Sequence, residues 1–558
     1  PDGGAIPPPE SESDVLMSFS ARSRLLVVVL VASTLSCAGP SDDMAAPDPS
    51  DQLTASNPTP SSVGLAWTAA TDDTTSAELL EYRAYFSTAD NLQTVSSVLA
   101  NGTPAGEWLA NLTQLSVERL ALDTTYFFNV LVRDEAGNMA VYGGASATTL
   151  GGTWQDVEPL EDYSGGTVAY PTLTVRPEGD VVATWLQFPS RRVHFAALAS
   201  DAETFGEATP WSAAGVETPS LAFGFDGFLM GASLRSNGDD TSDVLFRSLA
   251  EGPETTFDTV ATGLVTAFTQ RTLACVGENG DVMVVWQDGT SATTSSLRAR
   301  FRADTTWGAT SLVSGSEGLF IYDMRVVCSP EGNHMVLYGV DDGSSRIWHA
   351  RVYDNTRKDW EADAVPLADS GDPWALETAR TLDGRVVVAW AEVNDAEPGA
   401  FLRARTYDGS SWSPRVDTIA EDEFYGVHSL QLAAAGNDVH AVWRKDDRLR
   451  TRRLEAGSST WSLDVPFGPA PDMQEFCLAG DPLGGVLLAW TTSQAVDARF
   501  YSPRSESWGP VEPVHAGGES IGYASLGCIL DPQRRATVVW TMGPPQGGDF
   551  SAFAATYR

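Results

Sequence analysis

Basic residues are scarce in this chain. Lys and Arg number 35 against 74 Asp and Glu, for a formal net charge of −39. A surface that acidic repels phosphate backbones and anionic head groups, so nucleic acid is excluded as an expected partner. There are 6 histidines, and none of them (His194, His334, His349, His428, His440, His515) stands at the spacing of a metal motif; packing or surface roles are expected for them. Of the 5 cysteines, no two form a Cys-x-x-Cys pair, which argues against zinc. No apolar run approaches the ~20 residues of a spanning helix. Gly-x-Ser-x-Gly, P-loop, His-Glu-x-x-His and dinucleotide fingerprints are all missing, so no catalytic residue is assigned. What is present is a chain 42% hydrophobic and 20% charged, the balance of a folded protein, and its 558 residues exceed a single compact core.

The beginning of the chain carries an address. Residues 1–16 hold three consecutive prolines, Pro7-Pro8-Pro9, and read as translated sequence upstream of a start at Met17. Residues 17–36 have the basic Arg22 and Arg24, the apolar run Leu25 to Ala32, and then small residues, which is the pattern of a secretory signal. The step from Ser36 to Cys37 resembles the bacterial lipobox, with Thr34 at the place where that pattern prefers Leu. The resemblance implies lipidation of Cys37 and an exported protein anchored at the outer membrane, the cell surface or within the periplasm. The alternative is an ordinary cleaved signal with an incidental cysteine. Residues 37–50, rich in Pro, Ser and Asp, read as a tether.

Residues 51–149 alternate as strands. Val63, Leu65 and Trp67 share one face, and Tyr82-Arg83-Ala84-Tyr85-Phe86 and Phe128-Asn129-Val130-Leu131-Val132 follow. This stretch resembles a fibronectin type III module. The resemblance implies a β-sandwich with Trp67 in its core and Tyr126 as the tyrosine whose hydroxyl ties back to the chain. Asp72, Asp73, Asp134 and Asn138 fall in loops expected at one end of it, a weak Ca²⁺ candidate set. The alternative is that Gly137-Asn138 is simply turn chemistry.

The remainder, residues 150–558, is a repeat. A Gly or Asp turn precedes alternating aliphatics that end on an aromatic: Trp185, Trp286, Trp390, Trp443, Trp490 and Trp540, with Tyr338 and Ser233 in two altered copies. The end positions are spaced by 48, 53, 52, 52, 53, 47 and 50 residues. Four strands per repeat of this size give an all-β fold: a β-propeller of about eight four-stranded blades, or seven if the Ser233 copy is degenerate. The chain stops on a third strand, and an orphan fourth strand stands at 153–160, so that segment is expected to close the ring and remove two open edges.

Cys275, Cys328, Cys477 and Cys528 lie 10 to 13 residues before their repeats' end positions, hence on first strands, in two neighbouring pairs of blades. Cys275–Cys328 and Cys477–Cys528 disulfides are expected, which suits an oxidising compartment; four buried thiols are the alternative. Arg247, Arg300, Arg351, Arg405, Arg452 and Arg499 recur at one place in the third strand. They invite comparison with the arginine cluster of sialidases, but a residue present in most blades is scaffold.

What differs between blades is the set of connectors at one mouth of the ring. They carry Asp162, Trp211, Tyr322, Asp372, Trp374, Glu423, Tyr425, Glu475 and Tyr523. Aromatics among carboxylates suit sugar or cationic ligands. The expected function is binding of a glycan or protein through this mouth by a non-enzymatic, monomeric lipoprotein. A carbohydrate-active enzyme with carboxylates in the funnel is the first alternative, and an envelope-assembly scaffold the second. No cofactor is expected beyond the weak Ca²⁺ candidates.

Overall fold

The computed structural model describes residues 43–49, 53–161 and 166–558, apart from 177, 191, 212–219, 224–228, 239, 249–256, 266–271, 277–280, 292–293, 304–305, 315–319, 330–332, 342, 344–345, 369–371, 395–396, 423–426, 446–447, 470–471, 523–525 and 545–547. The signal segment and Cys37 lie outside the described residues, as do Asp162, Glu423, Tyr425 and Tyr523.

The first unit is an antiparallel sandwich. One sheet joins Leu53–Ser56, Val63–Trp67 and Gln114–Val117; the other centres on Glu81–Ser87 and Thr125–Arg133. Trp67, Tyr82, Tyr126 and Phe128 fill the space between the sheets. The Tyr126 hydroxyl accepts from the Ala121 amide at 2.9 Å and so fixes the chain entering that strand. A helix at Val95–Asn101 was not anticipated by the strand alternation. It is capped by Thr94, whose hydroxyl accepts from the Ser97 amide, and it buries Val98.

Among the described residues, eight sheets follow in a ring, one per repeat. Their first strands begin at Val168, Ser220, Thr272, Phe320, Asp372, Val427 and Glu475, and the eighth sheet uses Ser520–Ile521 and Gly527–Leu530. The first strands touch one another in succession, and that of the eighth blade touches that of the first. The Ser233 copy is a full blade, with strands Ser220–Phe223, Leu229–Ser236, Thr241–Ser248 and Asp258–Val265. Glu158–Pro159 pairs with Phe553 and Ala554 as the outermost strand of the eighth blade, and Trp154 bridges Tyr557.

The Val-rich second strands are apolar at nearly every position because each blade is covered on both faces by its neighbours. Val181–Gln187 and Ala536–Gly543 are buried throughout. Trp185, Trp286, Trp390, Trp443 and Trp540 are at most 1% exposed, each worth roughly 2–3 kcal/mol of burial. The repeated arginines are struts. Arg300, Arg351, Arg405 and Arg499 each donate from Nε to the carbonyl of the residue after their own blade's fourth-strand tryptophan and from Nη1 to a carbonyl of the preceding blade's outer strand. Both expected disulfides are formed, between blades 3 and 4 and between blades 7 and 8, with Cα–Cα distances of 5.5 and 5.9 Å. Such bonds persist in oxidising compartments. Among the described residues no helix is long and apolar enough to cross a membrane.

The sandwich sits on the ring at the turns between first and second strands of blades 7 and 8. Arg534 Nη1 donates to the carbonyls of Leu122 (3.1 Å) and Asp123 (2.9 Å), while its Nε is 3.3 Å from Asp481. Leu483 packs against the sandwich core. These turns lie at the opposite end of the first strands from the blade-to-blade connectors, so the mouth faces away from the sandwich.

Candidate functional site

The mouth residues are brought together most clearly where blade 4 meets blade 5. Tyr322 sits at a register shift in the first strand of blade 4, between Ile321 and Asp323. Its ring lies against the second strand at Gly339, where an added Cβ would fall 2.3 Å from Tyr322 Cζ. The ring also meets the buried Trp348, centroids 5.2 Å apart. Burial raises the phenol above its ordinary range, so it remains a neutral donor. Its hydroxyl donates to the Pro373 carbonyl at 3.4 Å, across the blade boundary.

Arg346 opens the third strand of blade 4 and was not singled out by the sequence. Its guanidinium stands 5.6 Å from the Tyr322 ring centroid, 2.9 Å from Asp341 and 3.4 Å from Asp372. The hydrogen bond to Asp341, with Asp372 beside it, holds Arg346 firmly charged. The Arg346 and Asp372 side chains keep 47% and 59% of their surface exposed, so both remain open to a ligand. Trp374 is half-buried, packed in the seam of blades 5 and 6.

One step deeper, a bulge between Trp374 and Glu377 places Ala375 at φ 51°. Bulges re-aim side chains at sheet edges and near sites. Glu377 follows it, and Arg325 of blade 4 holds the equivalent ladder position, opposite Leu337 as Glu377 is opposite Ala389. Arg325 donates to Asp323 at 2.8 Å. Burial pushes the Glu377 carboxyl up to about 7, against the pull of Arg325 and with the push of Asp323. Such a group exchanges protons near neutrality. The sequence hid it, because Glu377 stands in an otherwise ordinary strand.

The other candidates are placed differently. Trp211 is fully buried, with Phe257 against its ring and Arg247 donating to its carbonyl. It packs the junction of blades 1 and 2 and does not line the mouth, because its side chain is enclosed by Val182, Leu186, Val193 and Phe257. Glu475 opens the first strand of blade 7 and is half-buried.

At the far end of the sandwich, carboxylate oxygens of Asp43, Asp72 and Asp134 lie within 4.8 Å of one another. Asn138 Nδ2 donates to the Asp134 carboxylate at 2.8 Å and to the Asp43 carbonyl at 3.2 Å. Asp73 is outside the group and bonds Thr74. Hard oxygen ligands of this kind are the type Ca²⁺ takes. Asp43 belongs to the stretch read as tether. Its described part, residues 43–49, lies on the sandwich, with Asp48 and Thr71 exchanging two backbone hydrogen bonds.

No family model matches the chain, and no curated protein matches it. Among solved structures it is similar to the polysaccharide lyase Uly1, at 9% identity over 73% of this chain and 99% of that one, TM-score 0.43. It is also similar to the Dos1 propeller (11% identity, 73% and 94%, TM-score 0.43). A third similar structure is the NanB sialidase from Streptococcus pneumoniae (9%, 72% and 98%, TM-score 0.31). Likenesses this distant carry nothing about what this chain binds.

Proposed function

We propose that this is an exported, lipid-anchored propeller that engages a glycan at the mouth between blades 4 and 5, with the sandwich holding the ring on the side facing its anchor. The observation that carries this reading is Arg346. It is an exposed cation fixed over the Tyr322 ring and between two carboxylates. An exposed guanidinium held between carboxylates offers the planar, preoriented donors and acceptors that the hydroxyls of a sugar require. Cys37 supplies the anchor, and the two inter-blade disulfides suit export.

Cleavage of the bound glycan is the second reading, and Glu377 favours it. A carboxyl poised at about 7 can donate a proton to a leaving oxygen at neutral pH. A glycan and polysaccharide array read for both retention and released product tests both readings. Retention without product supports binding, and product lost in Glu377→Gln supports cleavage. The absence of both retention and released product would overturn the proposal.

A further inference from the structure

The strut place holds an arginine in blades 2 to 7 and an alanine in blades 1 and 8 (Ala196 and Ala555), and at one junction the arginine is present but the strut is not made. In blade 6 the strut residue is Arg452, yet its Nε is buried without a partner, and no hydrogen bond joins its guanidinium to a described residue. A second donor is stranded beside it. In blades 3 and 4 the tryptophan opening the fourth strand donates its indole N–H to the preceding blade, Trp307 to Asp258 at 3.1 Å and Trp360 to Ser311 at 3.0 Å. Those acceptors pair with Phe246 and Ala299 in the ladder, and the residue at the same place in blade 5 is Asp417, opposite Ala404. Asp417 has turned to Arg415, whose Nε and Nη2 donate to it at 3.2 and 3.0 Å, and the Trp461 Nε1 is left buried and unpaired.

Both stranded residues line one cleft of about 400 Å³ at the outer edge of the ring, together with Arg415, Asp417, Thr418 and Thr460. Buried donors are ordinarily paired, and two left unpaired side by side on the wall of one cleft point to an acceptor that the chain itself does not supply. The wall holds two guanidinium groups against one carboxylate, in a protein whose surface is otherwise strongly acidic. Its volume is within the ~300–1,000 Å³ of small-molecule sites.

We propose that this cleft between blades 5 and 6 binds a small ligand bearing a carboxylate or other oxyanion, which takes the place of the missing strut by accepting from Arg452 and Arg415 beside Trp461. Guanidinium groups recognise such oxygens in paired geometry, and the hydroxyls of Thr418 and Thr460 can meet further polar groups of the ligand. This site is separate from the mouth and stands whether or not the mouth binds a glycan.

Calorimetric titration of the full chain with glucuronate, inorganic sulfate and inorganic phosphate, at constant ionic strength, tests it. Saturable binding of at least one is expected, weakened about tenfold or more by Arg452→Gln and by Trp461→Phe, which keeps the ring and removes the N–H. Arg405→Gln, which removes the intact strut of the neighbouring blade, is expected to leave that binding unchanged, as is Arg346→Gln at the mouth. Preference for glucuronate identifies a sugar acid, and equal response to all three a free oxyanion. No saturable heat with any of the three, or binding indifferent to both cleft variants while their circular dichroism matches the parent, would overturn the proposal.

Discussion

Arg346 on blade 4 reaches Asp372 on blade 5 at 3.4 Å, and so joins two blades at the rim of the mouth. The pair is open to solvent and contributes little to stability, about 0–1 kcal/mol for exposed pairs of this kind. Its value lies in position, because it holds the cation over Tyr322. Arg346→Gln is therefore expected to leave the melting temperature nearly unchanged while glycan retention falls about tenfold, one hydrogen-bonded charge being worth about 1.5–3 kcal/mol. Retention measured on the array ligand beside a thermal melt separates the two effects.

Gly339 leaves the space in which the Tyr322 ring lies. An alanine Cβ would stand 2.3 Å from Cζ, so the ring must move. Gly339→Ala is expected to cost about 1–3 kcal/mol in chemical denaturation. It should also alter the near-ultraviolet dichroism through the Tyr322–Trp348 contact. Glycan retention should fall in parallel, although the alanine itself touches no ligand.

Much of the fold was legible because a blade is a local object. The strand alternation, the terminal tryptophan and the turn before it all lie within about fifty consecutive residues. The disulfides followed from the repeat, since cysteines in the same phase of adjacent blades must be neighbours. The site was less legible. Tyr322 and Asp372 could be assigned to the mouth, but Arg346 and Glu377 matter only through what the next blade places beside them. Trp211 misled because a connector residue can turn inward as readily as outward. Asp43 was hidden in a polar stretch whose composition fits a tether, although its backbone is pinned to the sandwich.

Glu377 should make stability fall with rising pH. Its folded-state pKa is raised from the usual carboxyl value to about 7, so the folded protein holds this proton more tightly than the unfolded chain. The contribution is fully present at acid pH. It is lost as pH climbs from the ordinary carboxyl range through about 7, at a total on the order of 1–3 kcal/mol. Glu377→Gln cannot ionise, and its melting temperature is expected to fall less than that of the parent between pH 5 and 8, each matched for buffer ionisation.

The two disulfides staple neighbouring blades rather than distant ends of the ring. Each closes a loop of about fifty residues (separations 53 and 51), for which about 2–4 kcal/mol of stabilisation is typical. Guanidinium denaturation with and without reductant should show that difference. The paired change Cys477→Ser and Cys528→Ser should reproduce part of it without reductant. An unchanged midpoint under full reduction would mean that interlocked blade packing alone holds these junctions.

Arg534 is the main polar link between the sandwich and the ring. It donates to Leu122 and Asp123 on one side and faces Asp481 on the other, while Leu122 returns its amide to the Gln533 carbonyl at 3.0 Å. Asp481 is 1% exposed. Burial raises its pKa, against the pull of Arg534 and the amides of Gly485 and Leu483. Arg534→Ala strands that carboxylate and empties two carbonyls at once. The expected cost is about 3–5 kcal/mol, the range for breaking a buried pair from one side. The loss should have a location as well as a size. Limited proteolysis should cut near 149–153, between sandwich and ring, faster than in the parent, because the contact that clamps the sandwich is the one removed. Arg534→Lys keeps the charge but not the fork to two carbonyls, so it should recover part of the stability and leave the cleavage fast. A variant that loses stability without exposing that junction would mean Arg534 serves only to neutralise Asp481.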